Sequence, residues 1–334
     1  MDQKFFMSAM EAVGIPIVDE DNPLPEVPSP FLPDTKIQFA IDSTSIGNFK
    51  TCPRLYQYEN IEGWQPRDKS IHLKFGGLYH EALANYDHCR FDGLDHDESV
   101  FQAVKALLDE VAVTGYKDVS DEKASVKAKS LHNLLRSIVW YLDQFPTETD
   151  PARTVALKNG KPAVELSFRF ELDWGPIPEQ PYILCGHLDR VVEYQGHLFV
   201  SDRKTTNGAL TDWYFDQFNP NNQMSLYSIA GQIVVESPVK GVIIDAAEVK
   251  EDYTNFARRI IYRTPAQSEE WLNDLHMWLL AMEKCAVENH WPMNDKSCRG
   301  CTFQQVCEKD PSVRPVFLKS NFVQREPWNP LKPR

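Results

Sequence analysis

The sequence predicts an α/β protein with a central mixed β-sheet flanked by helices, an N-terminal helical part and a C-terminal cysteine-rich segment. Three observations predict it. Helical apolar spacing dominates before residue 145, alternating segments occupy 163–264 with one helical segment among them, and three cysteines lie within ten residues near the C-terminus. With 334 residues, 42% apolar and 25% charged, the chain is long enough for one large domain or two small ones, and a disordered or fibrous chain is excluded.

The first elements are helices. Their apolar residues recur three and four positions apart, as one face of a helix requires. We predict them after a cap at Ser43 or Ser45, after Gly76–Gly77, over 97–113 and over 122–144.

The strands follow. Alternating or continuous apolar residues predict strands over 163–172, 182–194, 197–205, 240–249 and 256–264. Gln195 and Gly196 separate the second strand from the third as a two-residue hairpin turn. A helix over 222–235 lies within the block, and Thr264 caps a last helix that runs to about Glu288.

Domain boundaries are read from proline and cysteine usage. Residues 1–36 form a Pro-rich arm whose first part predicts a short amphipathic helix, which packs on its own domain or docks a recombination or replication partner. A domain over 37–309 includes a helical insertion at 95–145 and a cysteine segment at 291–309, and 310–334 form an extended tail.

Charge and hydropathy narrow the function classes. The 35 basic and 48 acidic residues give a net charge of −13, which argues against nonspecific wrapping of nucleic acid but permits a local basic groove. No window approaches the about 20 apolar residues of a membrane span, and the N-terminus has no secretory pattern. We therefore expect a cytoplasmic protein without a membrane partner.

The most informative segment is GHLDRVVEYQGHLFVSDRKT. Asp189 lies on one predicted strand, and Asp202 and Lys204 lie on the next with their side chains on one face. Two carboxylates suit a hard cation such as Mg²⁺, and an ammonium group can stabilise charge on a phosphate. The alternative is a surface hairpin with an ordinary Asp–Lys pair, since Asp-x-Lys alone is very common.

Over residues 42–308 the sequence resembles the RecB-type branch of the PD-(D/E)xK nuclease superfamily. The motifs that carry the resemblance are Gly186-x-x-Asp189, Asp202-x-Lys204-Thr205, Gly76-x-x-x-His80-Glu81 and Gln223-x-x-x-Tyr227. It implies a restriction-endonuclease-like core in which His80, Asp189 and Asp202 hold Mg²⁺ or Mn²⁺. Lys204, Gln223 and Tyr227 complete the implied catalytic set.

This resemblance also implies an activity. It predicts a DNA nuclease, an exonuclease above all, that works in recombination, repair or end processing in the cytoplasm of a bacterium or a phage-infected cell. Glu165, on the preceding strand, is a further candidate oxygen ligand, although exposed strand glutamates are common.

Cys298, Cys301 and Cys307 follow a C-x2-C-x5-C spacing, which leaves a tetrahedral site one ligand short. Cys52, followed by Pro-Arg, is the candidate for the fourth ligand. The same resemblance implies a structural [4Fe–4S] cluster on these four cysteines, and structural Zn²⁺ remains open because thiolates bind both.

Candidate DNA contacts are the basic residues around the first helices and the catalytic strand, namely Lys50, Arg54, Lys74 and Arg203. They would neutralise phosphates, and nearby aromatic residues would stack on unpaired bases. A mixed surface with core aromatic residues explains the same pattern. Two other function classes remain: a nuclease-fold DNA-binding or scaffold subunit without catalysis, and a zinc-stapled interaction module.

Overall fold

We analysed a computed structural model, which describes residues 28–67, 70–116 and 127–332. The predicted helix near the N-terminus and the start of the one predicted over 122–144 lie outside these ranges. The helices are α1 (Ser43–Thr51), α2 (Pro53–Tyr56), a π-helical turn (Gln57–Ile61), α3 (Ile71–Phe91), α4 (His96–Thr114), α5 (Leu131–Gln144), α6 (Asp212–Asp216), α7 (Asn222–Val235), α8 (Pro265–Val287), a 3₁₀ turn (Asp295–Ser297), α9 (Gln304–Cys307) and α10 (Arg314–Asn321).

The strands form a seven-stranded mixed sheet and a separate pair, so the predicted fold class is confirmed. They are β1 (Ala40–Ile41), β2 (Trp64–Pro66), β3 (Arg153–Thr154), β4 (Val164–Glu171), β5 (Ile183–Tyr194), β6 (His197–Thr206), β7 (Val239–Val249), β8 (Thr254–Tyr262) and β9 (Phe322–Gln324). The main path runs β1-β5-β6-β7-β8, with β3 and β4 also paired to β5. The β5–β6 and β7–β8 pairs are antiparallel, and β6–β7 is parallel.

The chain divides into two compact units. The first comprises the described parts of Met1–Asp68, Ser167–His187 and Glu269–Arg334. Its apolar cluster contains Tyr58, Trp64, Phe303, Val306, Leu318 and Phe322.

The second unit comprises the described parts of Lys69–Leu166 and Leu188–Ser268. One apolar cluster of this unit joins α3, α4 and α5 to β7, with Phe75, Leu83 and Ile138 fully buried. This packing holds α3 in place over the sheet.

The extended tail predicted from residue 310 is wrong for 314–324, which form α10 and β9. Pro315 lies in the first turn of α10, where the missing N–H costs nothing because that turn has no acceptor for it. Strand β9 pairs antiparallel with β2. The backbone there is close enough that a Cβ on Gly63, at φ +70°, would lie 2.0 Å from the Arg325 carbonyl oxygen.

Two helix starts differ from the prediction. Asp42, rather than Ser43 or Ser45, caps α1, and its carboxylate accepts the Ser45 N–H at 2.8 Å. Helix α3 begins at Ile71, so Gly76 and Gly77 lie inside it. Packing of α3 against α4 and α5 outweighs the low helix propensity of glycine.

The hairpin that carries the acidic residues is where the sequence predicts it. Gln195 and Gly196 have φ of +50° and +76°, as a two-residue turn between right-twisted strands requires. In the described ranges, no helix has the length and apolar character needed to cross a bilayer.

Candidate active site

The β5–β6 hairpin brings the two predicted aspartates to adjacent strands. Arg190 pairs with Ser201, and Asp189 and Asp202 are the next residues on the two strands. Asp189 is 3% and Asp202 1% exposed. The Arg203 backbone N–H donates to Asp189 Oδ2 at 2.7 Å and holds that carboxylate in place. Two buried acids on neighbouring strands are the frame of the site.

A histidine and a glutamate complete a ligand group beside Asp189. His80 on α3 places Nδ1 3.2 Å from Asp189 Oδ1. One ligand atom from each of His80, Glu165 and Asp189 lies within 4.8 Å of the others. Glu165 has φ +48°, an uncommon conformation for a residue with a side chain, and such backbone positions often occur at functional sites.

The predicted lysine is fixed by a chain of polar contacts. Lys204 Nζ lies 2.7 Å from Asp202 Oδ2 and donates to Gln223 Oε1 at 3.0 Å. Gln223 Nε2 donates in turn to the Tyr227 hydroxyl at 3.0 Å. Gln223 and Tyr227 lie one turn apart on α7, so a single helix face positions the ammonium group.

The electrostatics separate the two acids. Burial alone would raise the pKa of Asp189, but the neighbouring His80, Lys204 and Arg203 N–H hold it well below its usual range. Burial raises the pKa of Asp202, with the Asp189 carboxylate adding to it and the Lys204 ammonium opposing it. The carboxylate of Asp189 is therefore ionised, and a nearby positive charge would stabilise the ionised form of Asp202.

These residues fit a hard divalent cation. Carboxylate oxygens are the ligands that Mg²⁺ and Mn²⁺ prefer, and a neutral imidazole suits Mn²⁺. Burial raises the pKa of Asp202 and the Asp189 carboxylate raises it further, so a cation between the two acids would relieve their repulsion. The donor set and its spacing thus match a metal site.

In the cation-free protein we expect the pKa of His80 to lie above the ordinary histidine value of about 6.5. Burial would lower the pKa of His80, but the Asp189 carboxylate outweighs it and raises the value. Stability from this pair is therefore fully present below the unfolded pKa and is lost as the pH rises through the folded one. Imidazole NMR titration in EDTA measures it.

Adding Mg²⁺ should shift the His80 titration to lower pH, because a cation and a proton compete for the same group. His132, which is exposed on α5 and outside the ligand group, serves as the control, and Mg²⁺ should leave its ring NMR signals unchanged. An identical titration curve of His80 with and without Mg²⁺ would show that His80 is not a metal ligand.

The four predicted DNA contacts are divided between the two units, two in each. Arg203 is 1% exposed and its guanidinium donates to Asp87 at 2.7 Å, so the expectation that it contacts DNA at the surface is wrong. Its neighbours Asp202 and Lys204 point to the opposite side of the strand. Lys74 is exposed near the start of α3, in the same unit as the site.

The other two predicted contacts belong to the first unit. Lys50 is exposed and lies over the Trp278 ring at 5.5 Å. Arg54 donates through Nε and Nη2 to the Trp291 carbonyl at 3.2 and 3.1 Å, so two donors of its guanidinium are used within the protein.

All four predicted cluster cysteines line one cavity of about 300 Å³ in the first unit. Cys52 follows α1 and accepts the Asn294 N–H at 3.3 Å, which ties it to the C-terminal segment. Burial raises the pKa of Cys307, whereas Arg54 and Arg314 beside it favour the thiolate. The remaining cysteines are Cys89, Cys185 and Cys285, and none of them lines this cavity.

Sequence reasoning missed two residues near the acids. Tyr214 on α6 is buried close to Asp202, and burial together with that carboxylate raises the pKa of its hydroxyl to about 12. Asp87, two turns after His80 on α3, pairs with Arg203. Its spacing of seven from His80 is the one signal in the sequence that places both on the same helix face.

The β5–β6 hairpin with its two aspartates and its lysine is the part of the site that indicates a protein family. The model of the PD-(D/E)XK nuclease superfamily matches residues 43–308, and the chain belongs to this superfamily. None of the curated proteins matches the sequence.

Two solved structures are similar at low identity. A candidate exonuclease from Eubacterium rectale is 14% identical over 83% of this chain and 92% of its own, with a TM-score of 0.45. The protein SSO0001 is 13% identical over 81% of this chain and 86% of its own, with a TM-score of 0.32.

Proposed function

We propose that the protein is a metal-dependent DNA nuclease, and specifically an exonuclease that acts in recombination, repair or end processing. The observation that carries the proposal is the ligand group of His80, Glu165 and Asp189, with Asp202 and Lys204 beside it. Membership of the nuclease superfamily supports the reaction class.

Each side chain has a distinct role in this proposal. Asp189, Asp202 and His80 hold Mg²⁺ or Mn²⁺, with Glu165 as a further oxygen ligand. When bound, such a cation neutralises charge on the scissile phosphate and makes a water more acidic. Lys204 Nζ, which Asp202 Oδ2 holds at 2.7 Å, donates hydrogen bonds to the phosphate oxygens as their charge grows.

Two further residues act through the lysine. Gln223 offers Oε1 to Lys204 and Nε2 to Tyr227, so its amide orientation is set from both sides. This arrangement restricts the ammonium group to one direction before substrate arrives, which lowers the cost of ordering it in the reaction.

The experiment compares DNA ends with closed circles. End-labelled linear DNA and covalently closed circles are incubated with the purified protein and Mn²⁺ or Mg²⁺, with EDTA as the control. We expect linear DNA to be degraded from its ends, circles to persist and EDTA to stop the reaction. Cleavage of circles would show that the protein is an endonuclease and not an exonuclease. Binding without cleavage would favour the DNA-binding or scaffold subunit.

The RecB-type resemblance leads us to propose further that Cys52, Cys298, Cys301 and Cys307 hold a [4Fe–4S] cluster. The four residues line one cavity of about 300 Å³ in the described part of the chain. Thiolates also bind Zn²⁺, so structural Zn²⁺ is the alternative, and the iron, sulfide and zinc content of the purified protein decides between the two.

A further inference from the structure

Each of the two aspartates of the candidate site is followed directly by a buried arginine. Arg190 comes after Asp189 on β5, and Arg203 comes after Asp202 on β6. The two arginines are 4% and 1% exposed. Successive side chains of a strand point to opposite faces, so each arginine points away from its aspartate. A buried guanidinium needs a carboxylate partner, and both arginines find one outside these two strands.

Asp87 on α3 is the partner that the two arginines share. Arg203 Nη2 donates to Asp87 Oδ2 at 2.7 Å, and Arg190 Nη1 lies 3.7 Å from Asp87 Oδ1. An arginine at each oxygen restricts the orientation of the carboxylate. Asp87 is itself buried, so solvent screens these ion pairs only weakly. Through one side chain, α3 is therefore tied to both strands that carry the aspartates of the site.

The same helix carries the histidine of the ligand group. His80 lies seven residues before Asp87, two turns or about 10 Å along the axis of α3. His80 Nδ1 is 3.2 Å from Asp189 Oδ1, and the other oxygen of Asp189 accepts the Arg203 N–H at 2.7 Å. Arg203 thus contacts Asp189 with its backbone and Asp87 with its side chain. These contacts form a closed ring that starts and ends on α3, and His80 and Asp87 are its two attachment points on the helix.

Two other acids contact the same group of arginines but do not belong to α3. Asp150 lies between α5 and β3, and Asp245 lies on β7. Arg190 Nη2 is 3.6 Å from Asp150 and 3.7 Å from Asp245. Arg258 also donates to Asp150, from Nη2 at 3.0 Å. These acids stabilise buried arginines without holding the helix of His80, so Asp150 offers a comparison with the acid on α3.

We propose that Asp87 is a positioning residue of the metal site, which holds α3 against β5 and β6 so that His80 lies beside Asp189. The proposal rests on the proposed function, because it takes His80 and Asp189 as cation ligands. Apolar packing keeps α3 on the sheet but is non-directional, so the ion pairs of Asp87 fix the register of the helix. Asp189 keeps its place on its strand, whereas His80 depends on the helix. Loss of the Asp87 charge should therefore move the imidazole and weaken cation binding through it.

Binding of Mn²⁺ to the full chain, measured by isothermal titration calorimetry, tests the proposal without DNA or turnover. We expect Asp87→Asn to weaken binding about tenfold, the lower end of the effect of residues that orient metal ligands. His80→Ala should weaken it as well. The double variant Asp87→Asn/His80→Ala should bind no more weakly than His80→Ala alone, because Asp87 acts through the histidine and the two losses then do not add.

Asp150→Asn is the matched control. It removes a buried carboxylate from the same group of arginines, so it should lower the denaturant midpoint of unfolding as Asp87→Asn does, yet leave the Mn²⁺ affinity unchanged. Asp87→Glu decides the matter if Asp87→Asn does not fold. It keeps the charge, and its extra methylene should displace α3 and weaken Mn²⁺ binding severalfold.

The proposal is overturned if every Asp87 variant that folds binds Mn²⁺ as the wild type does, if Asp150→Asn weakens binding as much as Asp87→Asn, or if the losses in Asp87→Asn and His80→Ala add. Each of these outcomes leaves the proposed metal site in place. A wild-type protein that binds no Mn²⁺ would refute the metal site itself, and the role of Asp87 with it.

Discussion

Replacing Asp202 by Asn should lower DNA cleavage by at least roughly 10³-fold, since stabilisation by a bound cation is worth several kcal/mol and each 1.4 kcal/mol is about tenfold. Asn keeps the shape of the side chain but carries no charge for a cation or for Lys204, whose Nζ lies 2.7 Å from the carboxylate. Degradation of end-labelled DNA, followed over time at saturating Mg²⁺ or Mn²⁺, measures the effect.

The fold should survive this substitution. Burial raises the pKa of Asp202, so the folded state favours the uncharged form of this residue and pays for the charge at neutral pH. We therefore expect Asp202→Asn to unfold in EDTA at the same denaturant concentration as the wild type, or a higher one. Asp109→Asn, an exposed aspartate on α4, is the matched control and should change neither activity nor stability.

Cleavage by Asp202→Asn at the wild-type rate would refute the assignment of Asp202 to the active site. A loss of activity together with a large drop in stability would instead assign Asp202 to the core. The two measurements thus separate a catalytic role from a structural one, which activity alone does not.

Local sequence signals were sufficient for the central hairpin. The alternation in β5 and β6 and the Gln195–Gly196 turn depend on neighbouring residues only, so the strands begin and end within two residues of their predicted limits. The positions of Asp189, Asp202 and Lys204 follow from that register. Their roles rest on the resemblance and stay predictions.

What the sequence could not predict depends on distant partners. Strand β9 pairs with β2, more than 250 residues earlier, so no local pattern identifies it. Arg203 looks like a surface residue between Asp202 and Lys204, yet β6 lies between β5 and β7 and is buried on both faces. A charged side chain there needs a buried partner, which Asp87 supplies from α3.

Replacing Cys301 by Ser should remove the proposed cluster and destabilise the first unit, on the order of 5 kcal/mol. The magnitude follows from loop closure, because the four thiolates would join Cys52 to a segment about 250 residues later. Cys301 and Cys307 also pack against the apolar cluster around Phe303, so loss of the cluster would loosen that core. Iron and sulfide content, visible absorption and denaturant unfolding measure the change.

The matched control is Cys285→Ser. Cys285 is a partly buried cysteine on α8 of the same unit, and it does not line the cavity of the four predicted cluster cysteines. The variant should keep the brown colour expected of a protein with an iron–sulfur cluster, and it should unfold at the wild-type midpoint, because Cys285 supplies no ligand. Zinc in place of iron in the wild-type protein would overturn the proposal of an iron–sulfur cluster. A structural metal would still join the two segments, since a single tetrahedral ion closes the same loop. Full stability of Cys301→Ser without bound metal would show instead that apolar packing around Phe303 and Phe322 holds the unit by itself.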